Sequence, residues 1–159
     1  MSPAVDRFLA LAVSQEGAPY IWAGKGEYVA GRRHTHKDAN GVPLLVFDCS
    51  GLVTWCLRRI GWHSRVEMNA HRMWTLWRRT DKPQPGDLIL YGKPSLCSHV
   101  EIVMPDGRFF GAMGGGSKTT SPTAIAKVQY RWRPRADVLG YVLNPLRPDD
   151  DSEADTDAR

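Results

Sequence analysis

The chain has 159 residues, a length that suits one domain with its own hydrophobic core. No apolar run approaches the roughly 20 residues that a membrane helix requires, which excludes a membrane-inserted protein. The formal net charge is +4, but the segment from Asp149 onward carries −5, so the rest of the chain is near +9. A basic body predicts an anionic partner. Because no nucleic-acid-binding motif accompanies the charge, we expect this partner to be something other than nucleic acid.

The two ends of the chain differ from its middle in composition. The first 17 residues have no basic region and no small-residue cleavage site, and Asp6 interrupts their apolar part, so no signal peptide is predicted. We therefore expect a protein that is made in the cytoplasm and reaches any outside site by release or delivery. Residues 148–159 are polar and acidic, which predicts a disordered tail after a single folded domain at residues 1–147.

The N-terminal third of the chain predicts a helix followed by irregular structure. Ser2 and Pro3 are a suitable N-cap and first helical residue, and apolar residues then recur at helical spacing as far as Gly17. The run APYIWAGKGEY predicts a short strand or turn. Residues 27–46 are polar and rich in turn formers, which indicates a long exposed connection.

The rest of the chain predicts two more helices and then a sheet. An apolar stripe predicts a central buried helix that starts at Cys49 and ends at Gly61: Leu52, Val53, Cys56, Leu57 and Ile60. A second amphipathic helix is predicted from about Met68 to Arg79. Five strand-like runs follow: DLILY, SHVEIVM, RFFGAM, KVQYRW and VLGYVL. Helices followed by an antiparallel meander define an α+β fold.

The central helix opens with a cysteine, and this position changes the chemistry of the thiol. Backbone N–H groups and the positive end of the helix dipole favour a thiolate at Cys49. Asp48 directly before it is a suitable N-cap, although its negative charge would by itself oppose thiolate formation. Cys56 lies beyond disulfide reach of Cys49 on the same helix and is expected to be a core residue.

A thiolate nucleophile requires a base, and the five histidines differ in their suitability. His99 begins an apolar strand directly after a loop, a position from which a side chain can reach a site from a rigid element. His34 and His36, with Asp38, form an H-x-H cluster that suits a metal ion, but a solvated loop is expected and no metal is predicted. The other two are expected at the surface or in packing roles: His63 and His71.

Four motifs follow one another along the chain: PYIWAGKG, FDCSGLVTW, PQPGDLILYG and SHVEIVMPDGRFFGA. Together they resemble the NlpC/P60 family of cell-wall cysteine peptidases, over roughly Ala18 to Gly111. The resemblance implies a papain-like core in which Cys49 is the nucleophile, His99 is the base and later acid, and Tyr20 lies beside the cysteine. It further implies cleavage of peptidoglycan stem peptides between D-glutamate and the diamino acid, by a monomer without a cofactor.

The resemblance fails at the third catalytic position. Family members normally place a polar residue, often histidine, on the next strand to orient the catalytic imidazole, and that position here is Gly111. Three substitutes are available: a main-chain carbonyl near Gly111, Ser117, or Glu101. Strand period places Glu101 on the face of His99, where it would support the imidazole or meet a substrate amine. The same parity places Cys97 near the cleft mouth, although packing is its simpler role.

The positions around these groups are expected to line the substrate site: Asp48, Ser50, Gly111 and Ser117. The long insertion before the cysteine is expected to form a flap or rim of the cleft. The segment GGGSKTT lacks the spacing of a phosphate-binding loop, so a nucleotide site is not predicted.

Three functions remain open from the sequence alone. The first is a peptidoglycan endopeptidase, of the kind found as a phage endolysin or as a toxin delivered by a secretion machine. The second is a catalytically silent member that binds wall peptides or a partner protein, which the glycine at position 111 makes conceivable. The third is an amidase or acyltransferase that uses the same Cys–His pair on another substrate.

Overall fold

The computed structural model describes residues 2–148, so the predicted tail lies outside the described residues apart from Pro148. The architecture is α+β, as predicted. In this part of the chain the helices are α1 (Pro3–Ser14), α2 (Cys49–Arg59) and α3 (Ala70–Leu76). The strands are β1 (Lys25–Gly26), β2 (Tyr28–Val29), β3 (Arg32–Arg33), β4 (Val46–Phe47), β5 (Arg79–Thr80), β6 (Leu88–Lys93), β7 (Leu96–Val103), β8 (Phe109–Met113), β9 (Lys127–Arg131) and β10 (Val138–Val142).

Helix α1 starts where its capping signal predicts. The side chain of Ser2 accepts a hydrogen bond of 3.2 Å from the backbone N–H of Val5, and Pro3 is the first helical residue. The helix ends at Ser14, and Gly17 follows with a φ of +89°. The apolar face of the helix is buried: Val5, Phe8, Leu9 and Ala12.

Six strands form the main antiparallel sheet, in the order β5-β10-β6-β7-β8-β9. Strands β6 to β9 are a meander, as predicted, but β10 returns to pair with β5 and β6 instead of continuing after β9. Asp87, just before β6, accepts a hydrogen bond of 3.0 Å from the backbone N–H of Asn144, which follows β10. The return of the last strand therefore depends on a contact across 57 residues, which no local pattern in the sequence indicates.

The prediction of a helix from about Met68 to Arg79 is wrong at both ends, since α3 covers only Ala70–Leu76. Asn69 is the N-cap, and its side chain accepts a hydrogen bond of 2.8 Å from the backbone N–H of Arg72. Trp77 is already extended, with a ψ of 151°. The chain leaves the helix here because the next residues form β5, the edge strand that pairs with β10.

The segment from residue 27 to 46 is largely exposed, as predicted, but it is more ordered than a simple loop. Strands β2 and β3 form a hairpin whose two turn residues have positive φ values, 51° at Ala30 and 80° at Gly31. Such φ values suit the tight turns that join twisted antiparallel strands. At the end of the segment β4 pairs with β1, which brings the insertion back to the start of α2.

Helix α2 is the centre of the core, and its residues from Ser50 to Leu57 are all buried. It packs against α1 on one side and against β7 and β8 of the sheet. The predicted apolar stripe is almost fully excluded from solvent, since Leu52, Cys56 and Leu57 are 0% exposed. Among residues 2–148, no helix has the length and apolarity to cross a bilayer.

Candidate active site

Helix α2 places Cys49 at its first position, half-buried, directly after its N-cap. The Asp48 carboxylate accepts a hydrogen bond of 2.6 Å from the backbone N–H of Gly51, which is the predicted capping interaction. The backbone N–H groups of the first helical turn have no intrahelical acceptor, so Cys49 lies where N–H dipoles favour negative charge.

Strand β1 lies unusually close to the start of α2. A Cβ atom on Gly51 would be 1.9 Å from the carbonyl oxygen of Gly24, so only glycine permits this approach. That same carbonyl oxygen accepts a hydrogen bond of 2.9 Å from the backbone N–H of Asp48. The approach brings Lys25 to the cap, where its Nζ lies 3.0 and 3.1 Å from the two carboxylate oxygens of Asp48 and 3.0 Å from Ser50 Oγ.

Strand β7 supplies His99 and Glu101, whose side chains meet. His99 Nε2 lies 2.8 Å from Glu101 Oε2, and Glu101 is fully buried. Two further donors satisfy the carboxylate, since the Tyr91 hydroxyl donates to Oε1 at 2.7 Å and Arg131 Nε lies 3.0 Å from Oε2. A buried carboxylate with three hydrogen-bond partners is fixed in position.

His99 is also in contact with Cys49. Burial alone would lower the pKa of His99, but hydrogen bonds with the Cys49 sulfur and with Glu101, together with their negative charges, raise it to about 9. The hydrogen bond from Nε2 to Glu101 leaves the other ring nitrogen for Cys49. The structure therefore brings together the predicted nucleophile, the predicted base and one of the three predicted orienting groups.

Tyr20 lies near Cys49 and Asp48. Burial and the negative charges of Cys49 and Asp48 raise the pKa of Tyr20 well above its usual value, so its hydroxyl keeps its proton. The ring of Tyr20 packs against Gly115 in the loop after β8, where a Cβ would be 2.3 Å from the ring. Ser117 in the same loop is exposed, and the His99 ring nitrogen that it was expected to orient is bound by Glu101.

Gly111 lies on β8 beside Glu101. Its neighbours Phe110 and Phe109 pair with Ile102 and Val103, a register that places Gly111 directly opposite Glu101. A Cβ atom on Gly111 would lie 3.3 Å from Glu101 Cγ, tighter than an ordinary contact. The absence of a side chain at position 111 is thus what makes room for the Glu101 side chain.

The other two cysteines lie in the core. A bulge in β7 shifts the register, so that His99 pairs with Tyr91 whereas Cys97 pairs with Gly92. In spite of this shift, burial still alternates along β7, with Cys97 and His99 buried and Leu96 and Ser98 exposed. Cys97 also feels the charge of Cys49, which agrees with the parity prediction that put it on the face of His99, and it is a buried packing residue. Burial raises the pKa of Cys97 to about 11 and that of Cys56 to about 12, so both stay thiols at neutral pH.

The side chains of two of the remaining histidines have structural contacts. His34 Nε2 lies 2.8 Å from the Gly26 carbonyl oxygen, and its Nδ1 accepts a hydrogen bond of 3.1 Å from the His36 backbone N–H, so both ring nitrogens are engaged. His71 Nδ1 accepts a hydrogen bond of 3.0 Å from the backbone N–H of Cys97, a packing role. No group of three or more His, Cys, Asp or Glu side chains within residues 2–148 is arranged to hold a metal ion.

Sequence reasoning missed three residues of this site. Lys25 contacts Asp48 across 23 residues, and only the glycines around it hint at a close approach. Tyr91 and Arg131 bind Glu101 from neighbouring or more distant strands, a relation that depends on sheet order and has no local signal.

These features agree with the comparisons to known proteins. The NlpC/P60 family model matches residues 17–134, and the chain belongs to this family. Peptidoglycan endopeptidase RipB of Mycobacterium tuberculosis is 33% identical over 121 residues, which cover 74% of this chain and 46% of RipB. The chain thus spans about half the length of that relative.

Two solved structures show the same fold. The P60 domain of antigen MAP1204 from M. avium subspecies paratuberculosis has a TM-score of 0.67 and 21% identity, covering 91% of this chain and 96% of that domain. RipD from M. tuberculosis, described as a non-catalytic NlpC/p60 domain protein adapted to peptidoglycan binding, has a TM-score of 0.64 and 22% identity, covering 92% and 100%. Since the fold occurs with and without catalysis, activity has to be argued from the side chains.

Proposed function

We propose that this protein is a cysteine peptidase that hydrolyses peptidoglycan stem peptides at the bacterial cell wall, at the bond between γ-D-glutamate and the diamino acid. The observation that carries the proposal is the position of His99, which contacts Cys49 and is bound through Nε2 to a fully buried Glu101 at 2.8 Å. A thiol, an imidazole and a buried carboxylate in this order are the groups that nucleophilic amide hydrolysis requires.

In the proposed reaction the Cys49 thiolate attacks the amide carbonyl carbon and forms a C–S bond. The oxyanion is stabilised in part by the Cys49 backbone N–H at the start of α2. The C–N bond then breaks as His99 donates its proton to the leaving amine. Water attacks the resulting thioester while His99 accepts its proton, which releases the carboxylate product and regenerates the thiol–imidazole pair.

In this proposal Glu101 orients the His99 imidazole, the role that the missing third residue usually has. It lies on β7, whereas the usual position lies on β8 at Gly111, and the two positions are opposite each other. The carboxylate keeps the His99 ring oriented and stabilises the imidazolium that forms beside the thiolate. Asp48 and Ser50 flank the nucleophile in sequence, and their polar side-chain atoms are bound by Lys25 Nζ.

The substrate class in the proposal rests on the relatives and on charge. RipB is a peptidoglycan endopeptidase. The region that matches the family model, residues 17–134, includes both Cys49 and His99. The basic body of the chain, near +9 without the acidic end, suits an anionic wall polymer.

Mass spectrometry of reaction products tests the proposal. Purified peptidoglycan and a defined L-Ala-γ-D-Glu-diaminopimelate peptide are incubated with the native protein, with Cys49→Ala and with Cys97→Ala as a matched control. We expect cleavage between glutamate and the diamino acid by the native protein and by Cys97→Ala, and none by Cys49→Ala. A native protein that binds peptidoglycan without cleaving either substrate would contradict the proposal and favour a binding protein of the RipD kind.

A further inference from the structure

Lys25 forms a partly buried ion pair at the nucleophile. Its Nζ lies 3.0 and 3.1 Å from the two oxygens of Asp48 and 3.0 Å from Ser50 Oγ, so the two partners flank Cys49 in sequence. The Lys25 and Asp48 side chains are each only 16% exposed. Charges that are largely withheld from water interact more strongly with their neighbours than exposed charges do.

Asp48 creates an electrostatic conflict at this position. Its carboxylate accepts the 2.6 Å hydrogen bond from the Gly51 backbone N–H and so holds the start of α2. The same negative charge, one residue before Cys49, disfavours a second negative charge on the sulfur. A cation paired with the Asp48 carboxylate offsets this repulsion, in addition to the imidazolium of His99.

We propose that Lys25 is a positioning residue for the nucleophile, which neutralises the cap carboxylate of Asp48 so that the helix can keep its acidic cap while Cys49 is a thiolate. This inference rests on the proposed function, because it assigns a role in forming the reactive thiolate. It adds a residue from β1 to a site otherwise built from α2 and β7.

The geometry favours this role over direct substrate binding. An ammonium has three N–H donors, and the three acceptor atoms on Asp48 and Ser50 match that number. The position of Lys25 is also fixed, since it pairs with Phe47 of β4 and the next residue, Gly26, is packed against Trp55. Lys25 therefore acts on the site through its charge.

The other titratable groups near the Cys49 sulfur are on two further elements. His99 and Cys97 come from β7, and Tyr20 comes from the segment before β1. Cys97 and Tyr20 have raised pKa values and stay neutral at neutral pH, so they add no charge. The charged side chains of this site are those of His99 with its partners Glu101 and Arg131, and of Asp48 with its partner Lys25.

The rate of alkylation of Cys49 by iodoacetamide between pH 4 and pH 10, measured by peptide mapping, tests the inference without a substrate. The variants are Lys25→Met, Asp48→Asn, the double variant Lys25→Met/Asp48→Asn, and Lys25→Arg. Asparagine is as good an N-cap as aspartate, so Asp48→Asn removes the charge and keeps the cap. Lys25→Arg keeps the positive charge.

We expect the pH midpoint of alkylation to rise by about one unit in Lys25→Met, which is a roughly tenfold slower reaction below the midpoint. The midpoint should fall in Asp48→Asn and return close to the native value in the double variant. Lys25→Arg should resemble the native protein. These opposite shifts and their cancellation are the signature of a charge effect.

Two results would overturn the inference, and they differ. If Lys25→Met lowers the melting temperature but leaves the midpoint unchanged, Lys25 is a structural contact only and the proposed peptidase function is unaffected. If Cys49 of the native protein reacts no faster at neutral pH than a free cysteine, the reactive thiolate does not exist, and the proposed function fails together with this inference.

Discussion

Glu101 has an environment that an ordinary strand residue does not. It is fully buried, and its carboxylate is bound by His99, Tyr91 and Arg131. Removing a charge from water is costly unless partners compensate, and here two of the three partners are cationic or can become so. Burial and the hydrogen bond to Glu101 also raise the pKa of Tyr91, so its hydroxyl remains a donor.

The variant Glu101→Gln tests the role of this carboxylate. Its negative charge is one of the causes that raise the pKa of His99 to about 9, so the amide should lower that pKa. In the proposed reaction His99 has to be protonated to release the amine, so kcat/KM should decline above about pH 9 in the native protein and at lower pH in the variant. We also expect turnover to fall by about 100-fold.

The matched control is Glu27→Gln, because Glu27 binds Trp55 at 2.8 Å on the other side of α2 and has no contact with His99 among the described residues. Its pH profile should be that of the native protein. An unchanged rate and profile in Glu101→Gln would show that the carboxylate does not support the imidazole.

Among the secondary structure elements, the neighbouring strands β7 and β8 together determine where the orienting acid lies. Gly111 and Glu101 are directly opposite, and a Cβ on Gly111 would be only 3.3 Å from Glu101 Cγ. The same point in space is thus within reach of a side chain from either strand.

An exchange of Glu101 and Gly111 tests whether either strand can supply the orienting acid. The single variants Glu101→Gly and Gly111→Glu should both lose most activity, the first for want of the acid and the second through crowding and repulsion between two carboxylates. The double variant should recover at least tenfold over Glu101→Gly, measured as kcat/KM on the defined peptide. Equal activity of the double variant and Glu101→Gly would refute the equivalence of the two positions.

The close approach of β1 to α2 makes a second prediction at this scale. Gly51→Ala places a Cβ at 1.9 Å from the Gly24 carbonyl oxygen, so one of the two elements has to move. We expect a loss of about 3 kcal/mol in the free energy of unfolding, measured by urea denaturation. Gly116→Ala is the control, because no atom lies within 4 Å of the added Cβ there. A Gly51→Ala variant as stable as this control would contradict the close packing.

At the scale of the whole molecule, the C-terminal end of the described chain is tied back to the sheet through Asp87. This fully buried carboxylate accepts hydrogen bonds from the backbone N–H groups of Gln84 and Asn144, at 2.8 and 3.0 Å, and from Arg147 Nη1 at 2.8 Å. The contacts join the start of β6 to the segment after β10. They hold in place the strand that makes the sheet order non-sequential.

The variant Arg147→Met tests the importance of this connection. Removing a cation from a buried carboxylate should lower the free energy of unfolding by about 3 kcal/mol, as measured by urea denaturation. Arg133→Met, at an exposed position, is the control and should change stability by less than about 0.5 kcal/mol. Equal stability of the two variants would show that the C-terminal segment does not depend on this pair.

The limits of sequence analysis follow from the range of each interaction. The cap at Asp48, the stripe of α2 and the five strand runs are local patterns, and they were predictable together with the positions of Cys49 and His99. The contact of Lys25 with Asp48 spans 23 residues, and the return of β10 depends on a contact across 57 residues. Neither could be predicted from a local pattern. The register shift between β6 and β7 at Gly92 and Cys97 had no signal in the sequence either, although Cys97 and His99 both stay on the buried side of β7.

The opposition of Glu101 and Gly111 across two strands has a consequence for the evolution of such sites. If one location can be filled from either strand, the orienting residue can pass from one strand to the other in two substitutions, provided that the opposite residue becomes small. We expect lineages with an acid at the position of Glu101, the first position, to carry glycine at the position of Gly111, the second position. Lineages with an acid at the second position should carry glycine at the first. A survey that judges catalytic competence from the second position alone would count chains of the first kind among the inactive ones.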